Sequence, residues 1–192
     1  MVREEDVIFA DRLGVDSVGF VREPSSPRHV TLERAIELAG LLGPYVARCL
    51  VYRHCDEIPP RNFIVQAQTF SERVWESDVP KIQVLTSEPA VAFDRESLGS
   101  RISAILFDGA KGGVVGGSGQ TCDWDYVARV RASIDLPVVL AGGLTTNNIQ
   151  AAIQQVRPYA VDVSSGIESS PGVKDHDLMA RFVELAQSVL LS

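Results

Sequence analysis

Short, nearly unbroken apolar runs recur along this chain, with helix-periodic segments between them. The runs are Asp16 to Val21, Val46 to Tyr52, Phe63 to Gln68, Lys81 to Leu85 and Ile102 to Phe107. Leu136-Pro137-Val138-Val139-Leu140-Ala141-Gly142-Gly143 and Tyr159-Ala160-Val161-Asp162-Val163-Ser164-Ser165-Gly166 complete the set. A strand that is apolar on both faces must be covered on both, and helices alternating with such strands achieve this around a parallel sheet. Val2 to Leu13 reads as a helix with Val7, Ile8 and Leu13 inward and Gly14 as its stop. Thr31 caps a second helix, in which Leu32, Ala35, Ile36, Ala39 and Leu42 share a face and Gly43-Pro44 ends the run. A last helix, Asp177 to Leu190, puts Leu178, Phe182, Leu185 and Val189 on one stripe. That makes seven strand candidates, and the count begins with a helix. Pro59-Pro60 interrupts the stretch from Cys55 to Pro80, which leaves little room for a full third helix. No linker or composition break divides residues 1–192, so one domain is expected.

A chain of 192 residues can bury one substantial core. Its net charge of -7 argues against a nucleic-acid or acidic-membrane surface, which needs a basic face. No apolar run approaches the ~20 residues of a membrane span, and Met1-Val2-Arg3-Glu4-Glu5-Asp6 is not a signal peptide. Cys49, Cys55 and Cys122 form no CxxC pair, which fits a reduced, cytoplasmic chain. With three scattered histidines, no metal site is expected.

The last two runs end in small residues and lead toward helices. A Gly or Ser turn at a helix start presents unpaired backbone N–H groups where the helix dipole favours negative charge. Two such turns on consecutive β-α units can converge on one dianion, as the last two loops of a (β/α)8 barrel commonly do. Gly142, Gly143, Ser164, Ser165 and Gly166 are therefore candidate phosphate ligands through their amides. Ordinary helix capping accounts for the same residue types.

Several segments together resemble the phosphoribosylanthranilate isomerase family of tryptophan biosynthesis. Val15-Asp16-Ser17-Val18-Gly19-Phe20-Val21 followed by Ser26-Pro27-Arg28-His29-Val30 is similar to its second strand and arginine-bearing loop. Ile105-Leu106-Phe107-Asp108 and Gly116-Gly117-Ser118-Gly119-Gln120-Thr121-Cys122-Asp123-Trp124 resemble its sixth strand and loop. Leu140-Ala141-Gly142-Gly143-Leu144 and Val161 through Asp175 match its seventh and eighth loops. The resemblance implies a (β/α)8 TIM-barrel type fold with the first β-strand absent, because the family's Lys-Ile-Cys-Gly strand, which carries the general-base cysteine, has no counterpart. Val65-Gln66-Ala67-Gln68 puts a glutamine where the family has a histidine, and Gln120 replaces a lysine. Such a gap in a closed barrel exposes two parallel edges.

By resemblance, Asp108 is the general acid of an Amadori rearrangement, converting N-(5-phosphoribosyl)anthranilate to 1-(2-carboxyphenylamino)-1-deoxyribulose 5-phosphate. A turn-forming Asp-Gly pair explains Asp108 equally well from the residues alone. Arg28 would orient the anthranilate carboxylate or ring, against the alternative of a solvated loop arginine. Asp162 points inward and is either a substrate contact or a packed interior carboxylate. The six glycines of Gly109 to Thr121 suit a lid or an unstructured connection. Cys49 and Cys122 read as core thiols, and His29 as a surface neighbour of Arg28. The resemblance implies a small-molecule phosphoribosyl substrate, neither metal nor organic cofactor, no nucleic acid or membrane partner, and a monomer or homodimer. Two other readings remain: a non-catalytic sugar-phosphate-binding relative without the base, and an isomerase of another phosphoribosyl substrate.

Overall fold

The computed structural model describes residues 1–86, 101–109 and 122–190. Seven parallel strands hydrogen-bond in sequence order: β1 (Ser17–Val21), β2 (Ala47–Cys55), β3 (Phe63–Phe70), β4 (Lys81–Thr86), β5 (Ala104–Asp108), β6 (Val138–Leu140) and β7 (Ala160–Val161). The helices among the described residues are α1 (Glu4–Arg12), α2 (Leu32–Ala39), α3 (Glu72–Trp75), α4 (Trp124–Ser133), α5 (Ile149–Val156) and α6 (His176–Leu190). None of them is long and apolar enough to cross a membrane.

Alternation along the strands divides the core into two layers. Phe20, Leu50, Val65, Ile105, Phe107 and Leu140 face outward and are fully buried with Val7, Ala35, Leu38, Val127 and Ile149 from the helices. Val84, Leu106 and Ala141, with Ile82 and Val139 beside them, form a smaller cluster on the inner face. Ser17, Gly19 and Val21 from β1 and Asp162 from the end of β7 line one cavity. A flat sheet of this strand count would hold its edges about 29 Å apart at ~4.8 Å per strand. The sheet is therefore curled in the manner of a barrel. No strand among the described residues runs along the outer edge of β7, and β1 takes only a parallel bridge from Val21 to His29. The third helix is a single turn of four residues, as the crowding before β4 implies.

Several boundaries and faces differ from the sequence reading. In α2 the buried residues are Ala35, Leu38 and Ala39, whereas Ile36 is 45% exposed. Both stripes satisfy helical spacing, and docking on the sheet selects the one that includes Leu38. Thr31 does cap α2, its Oγ1 accepting from the Arg34 N–H at 3.2 Å. The helix ends at Ala39 rather than at Gly43-Pro44, and the Gly43 N–H is donated to Asp11 Oδ1 at 2.8 Å. In α1 the buried positions are Asp6, Val7 and Ala10, with Ile8 only partly covered. Asp6 is buried because it accepts the Lys174 N–H at 3.3 Å and pairs with His176 Nε2 at 3.0 Å.

The largest departure follows β7. Its serine turn opens a three-residue 3-10 helix, Ser165–Ile167, rather than an α-helix. An antiparallel hairpin then follows, β8 (Glu168–Ser170) with β9 (Val173–Lys174), before α6 begins. Gly172 makes that reversal at φ +86°, a backbone conformation that only glycine adopts without cost.

Candidate active site

The cavity measures about 410 Å³ and is lined by Arg28, Asp108, Asp162 and Ser164 together with Gln66, Glu168 and Lys174. These residues come from different strands because β5 ends in Asp108 and β7 runs directly into Asp162, so successive strand ends deliver their side chains to one mouth. Arg28 reaches the same mouth from the loop after β1.

Burial raises the pKa of Asp108, and the nearby negative charge of Asp162 raises it further against one hydrogen bond from the Gly109 N–H. Asp162 stands open to water within the cavity, yet the protein around it thins its solvation and raises its pKa too. Lys174 opposes that rise. Burial also works against the charge on Glu168, but hydrogen bonds from Arg28 and Lys174 outweigh it and hold the carboxyl below its usual range. The cavity thus contains two carboxyls biased toward protonation and one held ionised. Cys49 and Cys122 are buried in the core, and burial pushes the Cys49 thiol upward, as expected for an inert side chain.

Gly142, Gly143, Ser165 and Gly166 are not part of the lining of this cavity, and each is partly exposed. Gly142 has φ +82°, and a Cβ there would lie 2.8 Å from Asp108 Oδ1 and would collide with the Gly109 backbone. A Cβ on Gly166 would come within 3.0 Å of the Leu144 carbonyl carbon and 3.3 Å of Thr145 Cα. The two turns therefore touch each other. Asn148 ties down the first of them, accepting the Thr145 N–H at 2.8 Å and donating to the Gly143 carbonyl at 2.9 Å. The backbone N–H groups of Gly142, Gly143, Ser164, Ser165 and Gly166 donate no hydrogen bond to any acceptor among the described residues.

Glu168 and Lys174 are the site residues the sequence reading missed. They lie in a hairpin whose only local signal is the turn-forming Ser169-Ser170-Pro171-Gly172. Nothing in their spacing says that they face Arg28. The glycine-rich lid reading and Gln120 fall on residues 110–121, outside the described residues.

A curled parallel sheet that gathers carboxylates and bare amides at the C-terminal ends of its strands is a barrel of the enzyme class. The family pattern described as N-(5'phosphoribosyl)anthranilate (PRA) isomerase matches residues 68–185. The N-(5'-phosphoribosyl)anthranilate isomerase of Methanopyrus kandleri is 36% identical over 211 residues, covering 98% of this chain and 96% of that protein. The crystal structure of phosphoribosyl anthranilate isomerase from Thermotoga maritima superposes with a TM-score of 0.77 at 32% identity, covering 98% of this chain and 96% of that one. A second solved structure is a phosphoribosyl anthranilate isomerase in complex with reduced 1-(o-carboxyphenylamino)-1-deoxyribulose 5-phosphate. It matches with a TM-score of 0.75 at 30% identity, covering 98% of this chain and 95% of that one. The chain belongs to the N-(5'-phosphoribosyl)anthranilate isomerase family.

Proposed function

We propose that this protein isomerises N-(5-phosphoribosyl)anthranilate to 1-(2-carboxyphenylamino)-1-deoxyribulose 5-phosphate in the cytoplasm, as a step of tryptophan biosynthesis. The observation that carries the reading is the placing of Asp108, whose carboxyl ends β5, lines the cavity and touches the Gly142 turn. A carboxyl biased toward protonation suits donation to the ring oxygen, which opens the ribosylamine to an iminium. Loss of the C2′ proton then gives an enolamine, which tautomerises to the ketone. The free amides of Gly142, Gly143, Ser164, Ser165 and Gly166 suit the 5-phosphate, because backbone N–H groups hold a dianion without bringing a titrating side chain. Arg28 takes the anthranilate carboxylate, and Asp162 reaches the sugar.

One observation favours the second reading, a sugar-phosphate-binding protein without turnover: among the described cavity-lining residues there is no thiol and no imidazole to take the C2′ proton. The decrease of anthranilate-type fluorescence on adding substrate to the purified protein separates the two. Turnover that Asp108→Asn abolishes supports the isomerase. Tight binding of the reduced product analogue with no fluorescence change supports the binder, and absence of binding removes both.

A further inference from the structure

Arg28 meets Glu168 side-on, with Nε 2.9 Å from Oε1 and Nη2 2.6 Å from Oε2. The Glu168 side chain is 4% exposed and that of Arg28 15%. Lys174 closes the cluster from the other side, its Nζ 3.0 Å from Glu168 Oε1 and 2.8 Å from the Ser164 carbonyl oxygen. A guanidinium carries five N–H donors in a fixed plane. The side-on pair uses the Nε hydrogen and one hydrogen of Nη2. Nη1 and the second Nη2 hydrogen have no partner among the described residues. That remaining edge has the geometry for a second, bidentate carboxylate.

We propose that Glu168, braced by Lys174, is a positioning residue that fixes the plane of Arg28 with its free edge open to the cavity, and so makes the site selective for a ligand that carries a carboxylate. This deepens the isomerase reading and rests on it. An arginine without such a partner samples many rotamers, and each must be given up when a ligand docks. Replacing Arg28 with lysine would not preserve the arrangement, because an ammonium cannot present one edge to Glu168 and another to a ligand. The bland alternative is a clamp: the pair joins the loop after β1 to the hairpin after β7, and so links the regions that follow the two edge strands of the sheet.

Calorimetry with two ligands separates selection from clamping. One is reduced 1-(o-carboxyphenylamino)-1-deoxyribulose 5-phosphate, and the other is the same compound with an unsubstituted phenyl ring. The wild-type chain is expected to prefer the carboxylated ligand by about tenfold or more. Glu168→Gln should reduce that preference to about twofold while leaving the unsubstituted ligand's Kd within about twofold. Lys174→Gln, measured beside it, should lower the preference in the same direction through the brace alone. In an Arg28→Lys background, adding Glu168→Gln should change the preference by less than about twofold, because the residue it acts through is gone. An unchanged preference in Glu168→Gln, or an equal loss of both ligands, overturns the proposal in favour of the clamp. A wild-type chain that binds both ligands equally overturns it and leaves the isomerase reading standing. A wild-type chain that binds neither overturns the isomerase reading itself.

Discussion

At Gly142 the space a side chain would fill is already taken by Gly109 and by an oxygen of Asp108, and φ is +82°. Gly142→Ala should therefore displace Asp108 as well as strain the turn. We expect kcat to fall by ~10² or more, as small misplacements of a catalytic group do. The stability cost should be about 1–3 kcal/mol. Steady-state fluorescence kinetics and thermal melting read the two effects separately. The carboxyl pair gives a second prediction at this scale. In the proposed reaction Asp108 acts in its protonated form, so activity is expected to fall as pH rises through its pKa. Asp162→Asn removes the negative charge that helps to raise that pKa, so the basic limb of the pH–rate profile should move to lower pH. The same variant has a stability signature. A carboxyl with a raised native pKa binds its proton more tightly when folded, so its contribution is present at low pH and lost as pH rises through the native pKa. Asp162→Asn should melt higher than wild type at pH 7, and the gain should vanish below the ordinary Asp value of about 3.9.

Among the elements, α2 and α1 show what periodicity carries and what it leaves open. Thr31 is legible as a cap because its hydroxyl needs only the Arg34 amide three residues on, and Thr31→Ala should cost about 1 kcal/mol in urea melts. The choice between Ile36 and Leu38 as the inward residue is not legible, since each completes a helical stripe with Ala35 and Ala39. Asp6 was unreadable for another reason: polar residues are expected outside, and its partners, the Lys174 amide and the His176 ring, come from the far end of the chain. Asp6→Ala leaves that amide unsatisfied, and a loss of about 1–3 kcal/mol is expected in the same melts. The hairpin of β8 and β9 escaped notice because its strands are only a few residues long and lack an apolar run.

For the molecule as a whole, the cavity depends on strands from opposite edges of one sheet, so ligand binding couples β1, β5 and β7. The reduced product analogue at a hundredfold excess over its Kd should add about 2.7 kcal/mol of stability. For a chain of this size that is a rise of about 5–11 °C in Tm, measurable by scanning fluorimetry. A flat or unrolled sheet would show no such rise.

From its residues alone the chain settles the alternation of strand and helix, the parallel sheet, the shortened third helix and the identity of the carboxyl at the end of β5. These follow from local spacing and from the burial that apolar runs demand, and neither requires knowledge of distant contacts. Tertiary structure decided which face of α2 turns inward, that Asp6 is buried, that the Gly142 and Gly166 turns touch, and that Glu168 sits between Arg28 and Lys174. Each of these joins positions far apart in the chain. Curling of the sheet alone brings such residues within hydrogen-bonding distance, and no local pattern encodes that closure.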